Sequence, residues 1–305
     1  MKRLLMVGLV AALTGLAAFW LLTIPYTSGE SVTAWLKDDG DIVKGEAIFW
    51  ASGCASCHAA KDAQGDQKLV LGGNHALKTP VGTFHVPNIS PDQEFGIGNW
   101  TLKEFADALL FGTSPQGRHY YPAFPYSSYA GMNFEDINHL WAFIKTLPAS
   151  KTQNPPHDLA FPFNISRGTG LWKMLYLDAA SVISVGDDPV LQRGQYLVEV
   201  LGHCGECHTP RTLGGFGGLD RTKWLSGGPA PEGEGKIPDI TPGQSGIGAW
   251  SQEDIVYYLE TGFTPEFDSA GGSMVSVQEN MAKLPKSDLE AIAAYLKSVP
   301  AISSK

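Results

Sequence analysis

The pattern of apolar and polar positions divides the chain into one long apolar run and a set of short amphipathic stretches that occur twice. From Leu4 to Leu22 the sequence is apolar apart from glycines and Thr14, and Met1-Lys2-Arg3 precedes it. A basic start followed by such a run marks an exported chain, and the run approaches the length of a bilayer-spanning helix. The following Leu22-Thr-Ile-Pro-Tyr-Thr-Ser28 is a poor cleavage site. Residues 1–25 are therefore expected to remain as a signal anchor, with the bulk of the chain outside the cytoplasm. A cleaved signal peptide shares the same charge pattern and is the alternative.

Beyond that run, apolar residues fall at i, i+3, i+4 and i+7 in matched places. Thr101-Leu-Lys-Glu104 has the sequence of a capping box and opens a helix with Leu102, Phe105, Ala106 and Leu109 on one face. Ser251-Gln-Glu-Asp254 opens its counterpart, with Ile255, Tyr258 and Leu259 facing inward. A later helix carries Ile137, Leu140, Trp141 and Ile144 in one copy and Leu289, Ile292, Ala293 and Leu296 in the other. Earlier helices are expected over 41–49 and 190–200, where Gly45 and Gly194 would let another helix cross closely. Each copy thus reads as three helices separated by long loops, a mainly α fold.

The repeat extends into the loops. Cys57 and Trp100 lie 43 residues apart, as do Cys207 and Trp250. Pro87-Asn-Ile-Ser-Pro91 and Gly96-Ile-Gly98 precede the first tryptophan; Pro238-Asp-Ile-Thr-Pro242 and Gly246-Ile-Gly248 precede the second. The repeat is too long for a solenoid unit. Two domains, 36–148 and 187–302, joined by a proline-rich linker over 149–186, account for it.

Composition narrows the picture further. The chain has 305 residues, including 35 glycines and 20 prolines, so its loops are extensive and each domain core is small. The formal net charge is −9. That balance argues against nucleic-acid binding and favours docking to partners with basic faces.

All four cysteines stand in two pentapeptides, Cys54-Ala-Ser-Cys57-His58 and Cys204-Gly-Glu-Cys207-His208. Thiols three residues apart on a helical turn share a face, where they can add to the two vinyl groups of one haem. The adjoining histidine then reaches the iron as its lower ligand. A zinc site drawn from both pairs, a thioredoxin-like redox pair and i to i+3 disulfides are the competing readings. Histidine directly after each pair and the lack of a β-α-β pattern favour two covalent c-type haems.

The upper ligands decide between a wire and a catalyst, because an open iron position admits other ligands. In the second copy Met274, in Gly271-Gly-Ser-Met274, is preferred over Met281, which lies closer to the final helix. In the first copy Met132 is the only methionine before the last helix, and it is the expected ligand. His119 is the alternative and would give a bis-histidine haem. Trp100, Trp250, Arg118 and Arg211 are weaker candidates for contacts to haem propionates.

Asn88-Ile-Ser-Pro, Gly96-Ile-Gly-Asn-Trp100, Tyr121-Pro-Ala-Phe-Pro-Tyr126, Cys204-Gly-Glu-Cys-His-Thr-Pro-Arg211 and Gly272-Ser-Met274 carry a resemblance. The exported region resembles tandem class I cytochromes c related to the cytochrome subunits of bacterial quinohaemoprotein alcohol dehydrogenases. The resemblance implies thioether attachment at Cys54, Cys57, Cys204 and Cys207, lower ligands His58 and His208, and upper ligand Met274. It fixes no upper ligand for the first haem. It also implies a carrier on the periplasmic face of a bacterial inner membrane. A dehydrogenase or the quinol–cytochrome c oxidoreductase would feed it, and a terminal oxidase or soluble cytochrome c would drain it. The other readings are a redox subunit of a dehydrogenase complex and a dihaem peroxidase.

Overall fold

In the computed structural model, which describes residues 1–230 and 235–302, helix α1 (Lys2–Leu22) stands apart with none of its residues buried. The first half is carried by α2 (Ile42–Ala51), α3 (Leu102–Phe111), α4 (Tyr126–Tyr129) and α5 (Phe134–Ile144). After α6 (Thr169–Tyr176), the second half uses α7 (Pro189–Gln195), α8 (Gln252–Thr261), α9 (Met274–Met281) and α10 (Lys286–Ser298). The mainly α character expected from the periodicity holds.

Each half rests on a crossed helix pair, α2 with α5 and α7 with α10. The crossing is close because glycine sits at its centre. A Cβ on Gly45 would lie 2.1 Å from the His139 carbonyl oxygen, and one on Gly194 would lie 2.0 Å from that of Ala291. Asp41 and Asp188 cap the first helix of each pair by accepting two backbone N–H groups. Both anticipated capping boxes form, at Thr101/Glu104 and Ser251/Asp254. Their helices end alike, on left-handed Gly112 (φ 56°) and Gly262 (φ 80°). Phe49, Ile137, Leu140 and Ile144 fill the first core, and Leu197, Leu201, Leu289 and Tyr295 the second.

One difference between the halves is local. Helix α7 does not run on regularly as the pattern suggests; Tyr196–Leu201 widen into π turns, with Gly202 N–H donating to Leu197 O at 2.7 Å. That bulge absorbs one extra residue. Gly45 and Gly194 are 149 residues apart, whereas the two Cys-x-x-Cys-His motifs are 150 apart.

The segment 149–186 is more than a tether. Its Asp158–Leu159 pairs antiparallel with Gly82–His85, which itself forms a hairpin with Ala76–Thr79. The sequence pattern does not reveal this small sheet, because its strands are too short to alternate legibly. Lys173 donates to the carbonyls of Phe111 and Gly112 at 2.6 and 2.7 Å, closing the C-terminus of α3. Val182 and Ile183 N–H donate to the Glu199 carboxylate in the second half.

The residues after α1 also belong to the first half. Thr23 and Ser28 are buried there. The Thr23 carbonyl is 2.9 Å from His119 Nε2, the Tyr26 carbonyl accepts from Thr113 Oγ1 at 2.7 Å, and Ser28 N–H donates to Asp107 at 2.7 Å.

Candidate functional site

Each pentapeptide closes a single helical turn, Cys54–His58 and Gly205–His208. The residue before each motif is left-handed, Gly53 at φ 64° and His203 at φ 39°, and this reverses the chain out of the preceding helix. None of the four cysteines is in a disulfide. Burial pushes the Cys54 and Cys204 thiols up to about 12, and the neighbouring Cys57 and Cys207 add to the rise. Among the described residues no group of three or more His, Cys, Asp or Glu is assembled to hold a metal ion.

Both histidine rings are held by a backbone carbonyl. His58 Nδ1 lies 2.8 Å from the Pro87 carbonyl, and His208 Nδ1 lies 2.8 Å from that of Pro238. A carbonyl only accepts, so Nδ1 carries the proton in both rings, and each Nε2 keeps its lone pair for a metal. Burial holds His58 neutral, its pKa pushed down to about 4, and lowers that of His208. Two thiols on one turn beside such an imidazole fit a covalently held haem in each half. The proline carbonyls are functional atoms that sequence reasoning missed. Their signal was the matched spacing of Pro87-Asn-Ile-Ser and Pro238-Asp-Ile-Thr.

The upper loops are built on one plan. Tyr120 N–H donates to Gly112 O at 2.7 Å, and Ala270 N–H donates to Gly262 O at 2.8 Å. Ser114 N–H reaches Arg118 O at 2.9 Å, and Thr264 N–H reaches Asp268 O at 2.8 Å. Met274 emerges from this loop half-buried, as the first residue of α9 rather than within a loop. Met281, its competitor, sits elsewhere: its Cε is 3.3 Å from where a Cβ of Gly202 would be, beside the chain leading to Cys204. In the first half Met132 is buried just before α5, and its N–H donates to Tyr129 O at 2.9 Å. The matching bond in the second half is Leu284 N–H to Met281 O, also 2.9 Å. His119 turns its Nε2 to the Thr23 carbonyl.

Each attachment motif is tied across the boundary to the opposite half. Asn280 on α9 donates to Ser56, inside the first pentapeptide, at 2.8 Å. In the reciprocal contact Ser127 on α4 donates to Glu206, inside the second pentapeptide, at 2.7 Å. The Tyr129 and His203 rings meet edge to face at 5.5 Å, and Tyr129 O–H donates to Ser52 O at 2.6 Å. Glu206 also pairs with Arg211, which accounts for that arginine without a propionate. Arg118 is exposed. Asn88 is spent on the 149–186 segment, donating to the carbonyls of Ser150 and Thr152. Trp100 and Trp250 are half-buried after matching turns, each N–H donating back to the isoleucine three residues earlier.

Comparison with known proteins agrees with this construction. The family model described as cytochrome c matches residues 42–148. A protein of Cereibacter sphaeroides described as a dihaem c-type cytochrome is 52% identical over 303 residues, covering 99% of this chain and 100% of that one. The fructose dehydrogenase cytochrome subunit of Gluconobacter japonicus is 37% identical over 85% of this chain, which spans 53% of that subunit's length. The cytochrome c subunit of the quinone-dependent alcohol dehydrogenase of Gluconobacter oxydans is 34% identical over 94% of this chain and 60% of its own length. The chain therefore belongs to the cytochrome c family, as an electron carrier with two covalently attached haem c groups.

Proposed function

We propose that the chain relays single electrons at the periplasmic face of a bacterial inner membrane, between a dehydrogenase or quinol-oxidising complex and a terminal oxidase or soluble cytochrome. The observation that carries this reading is a reciprocal pair of hydrogen bonds that ties each attachment motif to the opposite half, Ser56 to Asn280 and Glu206 to Ser127. When bound, haem supplies reversible one-electron chemistry at iron. The chain's own part is to hold it. Cys54, Cys57, Cys204 and Cys207 would attach the two groups, His58 and His208 would offer Nε2 to the metals, and Met274 would offer a thioether to the second. Tyr129, hydrogen-bonded to Ser52 and edge to face with His203, links the chain before one motif to the chain before the other. A net charge of −9 suits brief docking to basic faces of partners.

In mild detergent the protein is expected to purify without a catalytic chain. Dehydrogenase- or quinol-derived electrons should reduce both haems, and oxidase-containing membranes should reoxidise them. Stoichiometric co-purification of a catalytic chain would make it instead a resident redox subunit, as the names of the Gluconobacter relatives suggest for those proteins. Failure of both haems to reduce and reoxidise would refute either version.

Contacts made by α1 itself support an uncleaved anchor. A cleaved leader is dispensable to the mature fold, yet Arg167 donates to the Trp20 carbonyl inside α1. Arg167 also reaches back to Trp20, its guanidinium 4.6 Å above the indole ring. The mature protein is therefore expected to keep residues 1–22. Its intact mass from membranes should include them, and a mass starting near Thr23 would refute the anchor.

A further inference from the structure

We infer that the first haem receives no side-chain ligand from its upper loop, and that its sixth iron position is open to neutral diatomic ligands such as carbon monoxide. The inference rests on the reading of two attached haems and deepens it. It comes from the register between the halves. The bonds Tyr120 N–H to Gly112 O and Ala270 N–H to Gly262 O fix Tyr120 opposite Ala270. Counting four residues onward along each loop sets Phe124 opposite Met274, 150 residues apart like the attachment motifs themselves.

Met132 belongs to a different register. In the crossed helix pairs His139 stands where Ala291 does, and Phe143 where Tyr295 does, each against the central glycine. That offset, 152 residues, pairs Tyr129 with Met281 and Met132 with Leu284. The packing agrees: Tyr129 O–H bonds Ser52, two residues before Cys54, and Met281 lies against Gly202, two residues before Cys204. Met132 and Leu284 are both buried core residues at the same helix entrance. The second half has two more residues between the loop and the last helix, and these separate the position that offers a thioether from the one that packs the core.

His119, the alternative donor, has one ring nitrogen engaged elsewhere. His119 Nε2 is 2.9 Å from Thr23 O and faces Gly170, where a Cβ would come within 2.9 Å of it. Its Nδ1 is buried without a hydrogen-bond partner, so His119 enters the test below. Phe124 itself is half-buried and surrounded by aromatic rings, with Tyr120 at 5.9 Å, Tyr129 at 5.8 Å and Tyr126 at 6.1 Å between centroids. A hydrocarbon ring replaces a soft sulfur donor, leaving an apolar upper wall that suits an uncharged ligand on ferrous iron.

The test uses the full chain in detergent. A pyridine haemochrome assay after acid–organic extraction should find two haems per chain. Fewer would overturn the two-haem reading itself, whatever the ligands. With two present, the reduced parent should bind one carbon monoxide per chain, and the oxidised parent should show a thioether-to-iron charge-transfer band for one haem. Phe124→Met should abolish carbon monoxide binding and double the band. Met274→Ala should raise binding to two, and Met132→Leu should change neither signal. A parent that binds no carbon monoxide overturns the inference. So does a band halved in Met132→Leu, which would restore Met132 as ligand. Carbon monoxide binding gained only in His119→Ala or Tyr120→Phe would overturn it and name the residue responsible.

Discussion

Gly194→Ala is expected to destabilise the second haem domain by about 2 kcal/mol net, although alanine is the better helix former. The propensity gain in a helix interior is about 1 kcal/mol. Against it stands a Cβ placed 2.0 Å from the Ala291 carbonyl oxygen and 2.7 Å from Tyr295 Cβ. Neither is the movable tip of a flexible side chain, so α7 and α10 must separate, and overpacking of this kind costs about 3 kcal/mol. For a domain of about a hundred residues that net loss lowers the melting temperature by roughly 10 °C. Gly194→Val adds branching in the same space and should prevent a stable holo domain. Gly168→Ala is the control: nothing lies within 4 Å of its Cβ position, and its φ of −59° suits any residue. That variant should be neutral or slightly stabilising. Thermal unfolding followed by Soret absorbance reads the series, and a Gly194→Ala midpoint equal to the parent's would refute the close crossing.

Much of this was legible in the chain because glycine, cysteine and capping residues each have narrow structural uses. Gly45 and Gly194 announce the crossings, and Thr101/Glu104 and Ser251/Asp254 announce the helix starts. Two Cys-x-x-Cys-His turns announce the prosthetic groups. What stayed hidden was information carried by backbone atoms or by contacts between the halves. The carbonyls of Pro87 and Pro238 orient the histidines, yet a carbonyl leaves no signature beyond spacing. Ser56, Asn280 and Glu206 are ordinary polar residues until the halves are brought together. The π bulge at Tyr196–Leu201 shows in sequence only as a one-residue change of offset.

The upper ligands illustrate a different limit. Met132 recommends itself as the sole methionine before the last helix, an argument from proximity along the chain. The helix pattern that pairs Ile137 with Leu289 and Leu140 with Ile292 already holds the 152-residue offset that sets Met132 on Leu284. Only the hydrogen bonds of the upper loops, with their own offset of 150, reveal that two registers are in play. A sequence can therefore contain a register that no single motif displays.

Met274→Ala is expected to lower the reduction potential of the second haem and leave that of the first in place. A thioether is a soft donor and binds ferrous iron better than ferric iron, so it holds the potential up. Its removal favours the ferric state; each tenfold change in that preference is worth about 59 mV for one electron, and a fall of at least one such step is expected. The fold should survive, because Met274 is half-buried at the start of α9 and the buried anchors of that helix, Gln278, Asn280 and Met281, are untouched. The functional consequence exceeds the structural one. Electrons arriving at the first motif reach the second only if the second haem is not driven far below the first, so a variant fed there should stall with the first haem reduced. Spectroelectrochemical titration of parent and variant separates the components. If both haems shift together, the ligand effect is not local; if neither shifts, the sulfur of Met274 is not on the iron.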